Sequence, residues 1–434
     1  MPYSVGIYTL GCKVSQYESI AIGEKFAELG FALLPFEEKC DVYVINTCTV
    51  TAESDRKCRQ IIRRAVKQGS LVLVCGCYSQ VSPDEVSKIK GVHYVGGNYN
   101  KNSIPQIALK LLQEKSFPIL PICDIPDIDA CGFESMTIHS APRTRVYVKI
   151  EDGCESRCTY CIIPRARGRI RSKAPQEVIS EVEYLAKTGV KEIVLTGIET
   201  ASYGTDLDGI TLIDLIEKVA KIEGIERIRL GSLDPSSINE NFVLRASQEK
   251  KLAPHFHLSM QSGSSSVLAR MKRKYNASQA LDKIKLITKH IPNATFTTDM
   301  MVGFPGESEE EFKETIAFSK EAEFLFMHIF PYSKRQGTPA ADYPNQIPEC
   351  EKHRRVKELS FVRDDIAHGV RKRLLPQGAL TQVLFETYEN GFAKGHTANF
   401  IEVMAKADSD LHGEIHTVMI TENKNHVCVG DIAN

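Results

Sequence analysis

Residues 146–161 read VYVKIEDGCESRCTYC, a short apolar strand that runs directly into a loop carrying Cys154, Cys158 and Cys161 within eight residues. A loop of this length can wrap an iron–sulfur cube so that three thiolates each take one iron. The fourth iron then has no protein ligand, which suits a cluster that binds a substrate better than one that only passes electrons. Zinc would need a fourth ligand at zinc-finger spacing, and the run has none. Three small buried residues falling at this spacing by coincidence is the plain alternative. From Arg145 onward strands alternate with helices. The strands are Val146–Ile150, Glu192–Thr196, Arg227–Leu230, His255–Ser259, Thr295–Met301 and Phe326–Phe330; the helices are Pro175–Lys187, Leu212–Ile222, Ala277–His290 and Ser308–Ala322. Six such units fit a full or partial β/α barrel, whose chemistry sits at the carboxyl ends of the strands.

On the amino-terminal side the alternation starts again. Val5–Leu10, Asp41–Ile45, Leu71–Val74 and His93–Val95 read as strands; Ser15–Leu29, Glu53–Lys67, a turn from Ser82-Pro83 and Ser103–Leu112 read as helices. That spacing implies a doubly wound parallel sheet. Cys12, Cys48 and Cys77 each follow a strand, and ligands of open parallel sheets bind beyond the carboxyl ends of the strands. The fold itself would therefore bring three distant cysteines to one crevice, enough for a second three-thiolate cluster. Cys75 lies two residues before Cys77, but strand alternation points it elsewhere. Cys40, Cys58, Cys123, Cys131, Cys350 and Cys428 read as ordinary small residues.

Residues 116–142 hold four prolines and little periodicity, as a linker would. A long helix over Ile347–Leu375 leads to short apolar runs in Leu380–Asp431, which suit a small antiparallel β-barrel. The expected boundaries are thus 1–115, 116–142, 143–372 and 373–434.

Composition narrows the class. With 434 residues, 42% apolar and 25% charged, several soluble cores are expected. MPYSVGIYTL lacks the basic start of a secretion signal, and no apolar run approaches the roughly 20 residues that span a bilayer. A cytoplasmic location with no membrane partner is expected, where thirteen cysteines would stay reduced. The net charge of −1 gives no global attraction for a polyanion, so any nucleic-acid surface must be local.

C-x₃-C-x₂-C with an aromatic residue before its last cysteine is similar to the signature of radical S-adenosylmethionine enzymes. The two triads together resemble the methylthiotransferase family over nearly the whole chain. The matching segments include LGCKVSQYES, INTCTV, GCYSQ, DGCESRCTYCIIPRARGRIRS, HFHLSMQSGS, RMKRKY, TDMMVGFPGE and FPYSKRQGTPAA. HTANFIEV looks like part of the terminal TRAM barrel of that family. The wording is most similar to enzymes that methylthiolate N6-threonylcarbamoyladenosine beside the tRNA anticodon. Ser79 stands where alanine is usual, and Glu199 where histidine or asparagine is common; Glu199 is given no role.

The resemblance implies two 4Fe-4S clusters and S-adenosylmethionine. The Cys154/Cys158/Cys161 cluster would chelate the cofactor's methionine part and split it to a 5′-deoxyadenosyl radical, while the Cys12/Cys48/Cys77 cluster would present sulfur. The partners implied are a tRNA anticodon stem-loop and an electron donor such as flavodoxin or ferredoxin; no oligomeric state follows. Thr196, Gly197, Ser259, Gln261 and Asp299 end barrel strands and are candidate cofactor contacts, with turn chemistry or core packing as the alternative. Arg165, Arg167, Arg169 and Arg171, with Lys173, Arg143 and Arg145, crowd the cluster loop and are candidate RNA-phosphate contacts; a solvated charged strand is the alternative. Arg354–Lys357 and Arg371–Arg373 form a second basic stretch with acidic neighbours. Residues 374–434, by contrast, hold three Lys/Arg and eight Asp/Glu, a net of −5. So acidic a barrel would better suit a basic protein substrate, as in relatives that methylthiolate a ribosomal-protein aspartate. A different modified adenosine, or an iron–sulfur RNA-binding protein without catalysis, are the further alternatives.

Overall fold

The computed structural model describes residues 2–114, 117–140, 144–424 and 426–433. Arg143 and the residues at the two expected linker boundaries lie outside them. The chain opens with β1 (Ser4–Thr9), α1 (Lys13–Glu28), β2 (Ala32–Leu34), β3 (Val42–Thr47), α2 (Ala52–Val66), β4 (Leu71–Gly76), α3 (Cys77–Val81), α4 (Pro83–Ser87), β5 (Tyr94–Gly96), α5 (Ile104–Gln113) and β6 (Ile122–Asp124). All six strands pair in parallel, in the order β2-β1-β3-β4-β5-β6. β3 and β4 are buried along their whole length, as strands covered on both faces must be. Because β1 lies between β2 and β3, the chain leaves it in opposite directions on its two sides. That reversal opens a crevice beyond the ends of β1 and β3. The proline-rich stretch expected as a linker supplies β6 and buries Met136 and Ile138. Three residues are too few for alternation to reveal β2 or β6.

The middle of the chain contains β7 (Arg145–Lys149), the paired β8 (Glu151–Asp152) and β9 (Arg171–Ser172) with α6 (Ile163–Arg167) between them, α7 (Pro175–Lys187), β10 (Glu192–Thr196), α8 (Leu212–Ala220), β11 (Arg227–Leu230) and β12 (Ser232–Leu233). It continues through α9 (Glu240–Gln248), β13 (His255–Gln261), α10 (Ser265–Arg270), α11 (Ala277–His290), β14 (Thr295–Val302), α12 (Glu309–Ala322) and β15 (Phe326–Pro331). β11-β10-β7 make one parallel arc and β12-β13-β14-β15 another, and the chain passes between arcs at Gly231. This is the expected six-unit partial barrel. Local chemistry fixes its helix starts. Ser308 Oγ accepts from the Glu311 amide at 3.2 Å while Glu311 returns to the Ser308 amide at 2.9 Å, a capping box ahead of α12.

The helix α13 (Glu349–Leu374) leads to β16 (Leu380–Glu389), β17 (Phe392–Thr397), β18 (Glu402–Lys406), β19 (Ile415–Asn423) and β20 (Cys428–Ile432). These close into a barrel, antiparallel except for the β18–β20 pair. The HTANF turn places Phe400 against residues that begin the central strands. Its ring stacks on His255 at 4.5 Å and lies 4.9 and 4.8 Å from the guanidinium carbons of Arg145 and Arg229. Arg227 donates to the carbonyls of His396 and Gln382 at 3.1 Å, and Thr295 to that of Asn399. The small barrel therefore covers the amino-terminal mouth of the central one, and the carboxyl mouth is left for chemistry. No described helix is long and apolar enough to cross a membrane.

Candidate active site

Cys12 caps α1, Cys48 is the first residue past β3, and Cys77 opens α3, so all three stand where the parallel sheet ends. Gly76 has φ +102°, and a side chain there would meet Asn46 Oδ1 and the Thr47 carbonyl at 2.6 Å; only glycine makes the turn that delivers Cys77. Cys12 is exposed, whereas Cys48 and Cys77 are buried. Burial, then the neighbouring Cys77 and Cys12, push the Cys48 thiol up to about 11. Asn98 Nδ2 donates to Cys77 Sγ at 3.4 Å. Cys75 sits instead in the apolar core with no exposure.

The second loop follows β8. Gly153, at φ +92°, packs so closely on the Arg169 carbonyl that a side chain would collide with it. The Cys154 amide donates to the Gly168 carbonyl at 3.0 Å, and the Thr159 amide to that of Met271 at 3.1 Å, which pins the loop at both ends. Cys154 Sγ accepts from the Ser156 amide at 3.4 Å, and Cys158 Sγ from Arg273 Nη1 at 3.3 Å. Burial pushes Cys154 up to about 11 and Cys161 to about 12, the latter helped by Cys158.

Thiols this basic are protonated at neutral pH, so a cationic centre must draw the protons off before they act as ligands. The N–H groups aimed at Cys77, Cys154 and Cys158 are the kind of support that cluster sulfurs receive. Among the described residues no three His, Cys, Asp or Glu side chains converge on one ion-sized point. Each triad nevertheless brings its thiols within electrostatic reach of one another, a three-thiolate donor set that fits three irons of a cube.

Arg273 lies in RMKRKY, a segment whose role is not legible in the sequence. It also donates to Asp234 Oδ2 at 2.6 Å and to the Ser259 carbonyl at 2.8 Å, which ties the loop to β13. Arg273→Leu should weaken iron retention at the barrel triad by about 10–100-fold, the usual cost of losing a supporting hydrogen bond. A chelator challenge followed by iron assay checks this, and unchanged retention would refute it.

Of the candidate cofactor contacts, Thr196, Gly197 and Gln261 stand at the carboxyl ends of β10 and β13, Ser259 lies within β13, and Asp299 lies in the middle of β14 rather than at its end. Thr196 is buried at the end of β10, and the Gly197 amide donates to Thr200 Oγ1 at 3.1 Å. Gln261 ends β13 at a register shift with φ +68°. The Ser259 carbonyl is occupied by Arg273 and Tyr275. Asp299 lies between His257 Nε2 and His328 Nδ1, each at 3.3 Å. Burial opposes its ionisation, but these hydrogen bonds overcome it and hold the carboxyl well below its ordinary range. Glu199, given no role from sequence, sits near Asp234, Arg273 and Cys154; burial and Asp234 push it up to about 7.

The basic run needs correction. Arg167 is fully buried, with Nη1 2.7 Å from Glu18 Oε1 and 3.1 Å from Asp152 Oδ2. Arg171 is buried and donates to the carbonyls of Ile128 and Arg167 at 2.8 and 2.7 Å. Lys173 is buried against Glu181 at 2.6 Å, and Arg145 pairs with Glu386 at 2.9 Å. Arg169 is exposed but bonds the Asp129 carbonyl at 2.5 Å; of the four candidates, Arg165 and Arg169 keep exposed side chains.

These buried charges form a bridge between the two triads. From Cys77 it passes through Asn98 to Lys101 Nζ (3.0 Å), and from Lys101 to Glu18 (2.5 Å). Glu18 meets Lys149 (3.0 Å) and Arg167, both of which grip Asp152. Asp152 Oδ1 accepts from the Gly153 amide at 2.9 Å, one residue before Cys154. A second clamp joins the units at Cys48: Arg335 reaches Asp55 Oδ2 and Thr49 Oγ1, each at 2.6 Å.

A barrel with this cysteine loop defines a radical S-adenosylmethionine enzyme, and the radical SAM superfamily model matches residues 148–319. A second model, described as uncharacterized protein family UPF0004, matches residues 4–97. The threonylcarbamoyladenosine tRNA methylthiotransferase MtaB of Bacillus subtilis is 40% identical over 96% of this chain and 93% of its own length. MtaB of Thermotoga maritima is 34% identical over 96% and 94%. The tRNA-2-methylthio-N(6)-dimethylallyladenosine synthase of Natranaerobius thermophilus is 33% identical over 98% and 95%. Among solved structures, the radical S-adenosylmethionine methyltransferase TsrM of Kitasatospora setae superposes with a TM-score of 0.57 at 15% identity, covering 79% of this chain and 77% of its own; this likeness concerns fold alone. The chain belongs to the methylthiotransferase family of radical S-adenosylmethionine enzymes, which carry a 4Fe-4S cluster.

Proposed function

We propose that this chain is a tRNA methylthiotransferase that places a methylthio group on C2 of N6-threonylcarbamoyladenosine beside the anticodon. The observation that carries the reading is the pair of thiol triads joined by one buried bridge. Cys154, Cys158 and Cys161 would hold the cluster that binds S-adenosylmethionine; Cys12, Cys48 and Cys77 would hold a second 4Fe-4S cluster. Bound there, these groups supply the radical and the sulfur that an unactivated C–H bond requires, since it offers no proton to acid–base residues. The chain's own part is to hold the two sites at a fixed separation through Glu18, Arg167 and Asp152, and to line the carboxyl mouth with Thr196, Gly197 and Gln261. An electron donor such as flavodoxin or ferredoxin in the reducing cytoplasm completes the reading.

The threonylcarbamoyl substrate is favoured by the relatives from Bacillus, Aquifex and Thermotoga, which carry that name at 34–40% identity. The dimethylallyladenosine reading has the weaker support of relatives at 31–34%. Mass spectrometry of tRNA nucleosides from cells with and without the gene separates them. Loss of the methylthio form of threonylcarbamoyladenosine is the expected result. Loss of the dimethylallyl form instead would move the substrate, and unchanged nucleosides would turn the reading to a protein aspartate.

A further inference from the structure

We infer that the outer face of α2, continued by the end of α4, is where the phosphates of the anticodon stem dock; this deepens the tRNA reading and rests on it. Arg167, Arg171 and Lys173 are buried and already bonded within the protein, so the basic run beside the cluster loop offers phosphates only Arg165 and Arg169 of its candidates. Residues 52–67 hold six Lys/Arg against two Asp/Glu, in a chain whose total is −1. One of those acids, Asp55, is already taken by Arg335. The helix packs Cys58, Ile62 and Ala65 inward and turns Arg56, Lys57, Arg63, Arg64 and Lys67 to solvent. Arg56 and Lys57 share Glu53, and Arg59 and Arg64 have Glu85 and Glu37 within 4 Å. Among the described residues no carboxylate lies within ion-pair distance of Arg63, Lys67, Lys88 or Lys90. A groove lined by Arg59, Arg63, Glu85, Lys88, Ile89 and Lys90 runs between the two helices.

Position argues for this partner as well as charge. The face begins four residues past Cys48, and Arg59 Nη1 donates to the Tyr78 hydroxyl at 2.9 Å, next to Cys77. From the triad it extends about 22 Å down the flank of the domain, the length of about six phosphates of one strand. A loop nucleotide at the crevice would thus leave its stem lying along α2. An acidic redox partner would also be drawn to positive charge. It must, however, serve the barrel triad, whereas this face adjoins Cys48 and Cys77.

The test uses the reconstituted holoenzyme and a fluorescent synthetic anticodon stem-loop bearing threonylcarbamoyladenosine. Arg63→Glu/Lys67→Glu/Lys88→Glu should weaken binding at least about 10-fold near 0.1 M salt and make log K against log salt shallower by about 0.9 for each phosphate no longer neutralised, with iron content and melting unchanged. If charge reversal disturbs folding, Arg63→Gln/Lys67→Gln/Lys88→Gln carries the same comparison with a smaller loss. Unchanged affinity and salt slope would overturn the docking face while leaving the RNA reading intact. Unchanged RNA binding with slowed flavodoxin-driven reduction would also overturn it and give the face to an acidic protein. Failure of the wild type to bind the stem-loop would overturn the underlying reading instead.

Discussion

Glu18→Ala should lower the stability of the protein by about 3–5 kcal/mol, because it strips the shared counter-ion from buried cations. Glu18 is fully buried and lies 2.5, 3.0 and 2.7 Å from Lys101, Lys149 and Arg167. Without it Asp152 would be left paired with Lys149 and Arg167, Glu134 would stand only as a more distant neighbour of Lys101 and Lys149, and Lys101 would keep the amide oxygen of Asn98 as its hydrogen-bond partner. An uncompensated charge in the interior costs far more than the pair it came from was worth. The ion pairs also have a pH signature. Burial opposes ionisation of Glu18, but Arg167, Lys101 and Lys149 outweigh it and hold the carboxyl well below its ordinary range. Its contribution is therefore complete above the ordinary carboxylate pKa and is lost as pH falls through the lowered one. Urea unfolding followed by circular dichroism at a series of pH values measures the stability, and Glu18→Gln should flatten its acid limb. Glu18→Leu combined with Arg167→Met should recover part of the loss, since it removes one of the buried cations that Glu18→Ala leaves uncompensated. A Glu18→Ala protein within about 1 kcal/mol of wild type would show that water reaches the bridge.

How much of this was legible from the chain depended on the range of the interaction. The cysteine crevice could be read because it needs only strand ends, which local alternation marks. The same alternation separates Cys75, which is wholly buried in β4, from Cys77 two residues on. The six barrel units were legible for the same reason, and so was the closing of the small barrel. The ion-pair bridge was not. Arg167 and Glu18 are 149 positions apart, and nothing near either names the other. In RARGRIRSK the alternating charges look like a surface facing solvent or phosphate, yet Arg167 lies on α6 and Arg171 on β9, and both turn inward. HTANF likewise reads as part of the terminal barrel alone, while its Phe400 is spent on the mouth of the central barrel. Charge that sits in the sequence is visible; whether a carboxylate from another unit meets it is a property of the fold.

The larger functional effect should come from the crevice. Cys12→Ala/Cys48→Ala/Cys77→Ala is expected to halve the iron of a reconstituted chain from about eight and to abolish methylthio product, while S-adenosylmethionine is still cleaved to deoxyadenosine. The separation follows from the architecture. The barrel loop is held by contacts within its own unit: Cys154 to Gly168 at 3.0 Å, Thr159 to Met271 at 3.1 Å and Cys158 to Arg273 at 3.3 Å. None of these runs through Cys12, Cys48 or Cys77. Replacing the three thiols also removes no charge from the bridge, because Asn98 still has the Ala166 carbonyl and Lys101 as partners. The reciprocal variant, Cys154→Ala/Cys158→Ala/Cys161→Ala, should also lose half the iron but should make no deoxyadenosine. Iron assay and chromatography of the nucleosides on anaerobically reconstituted protein give both readouts from one preparation. If the crevice variant kept all its iron, the amino-terminal thiols would not be ligands. If it lost iron and cleavage together, the bridge would couple the two sites more tightly than contacts within the barrel loop imply.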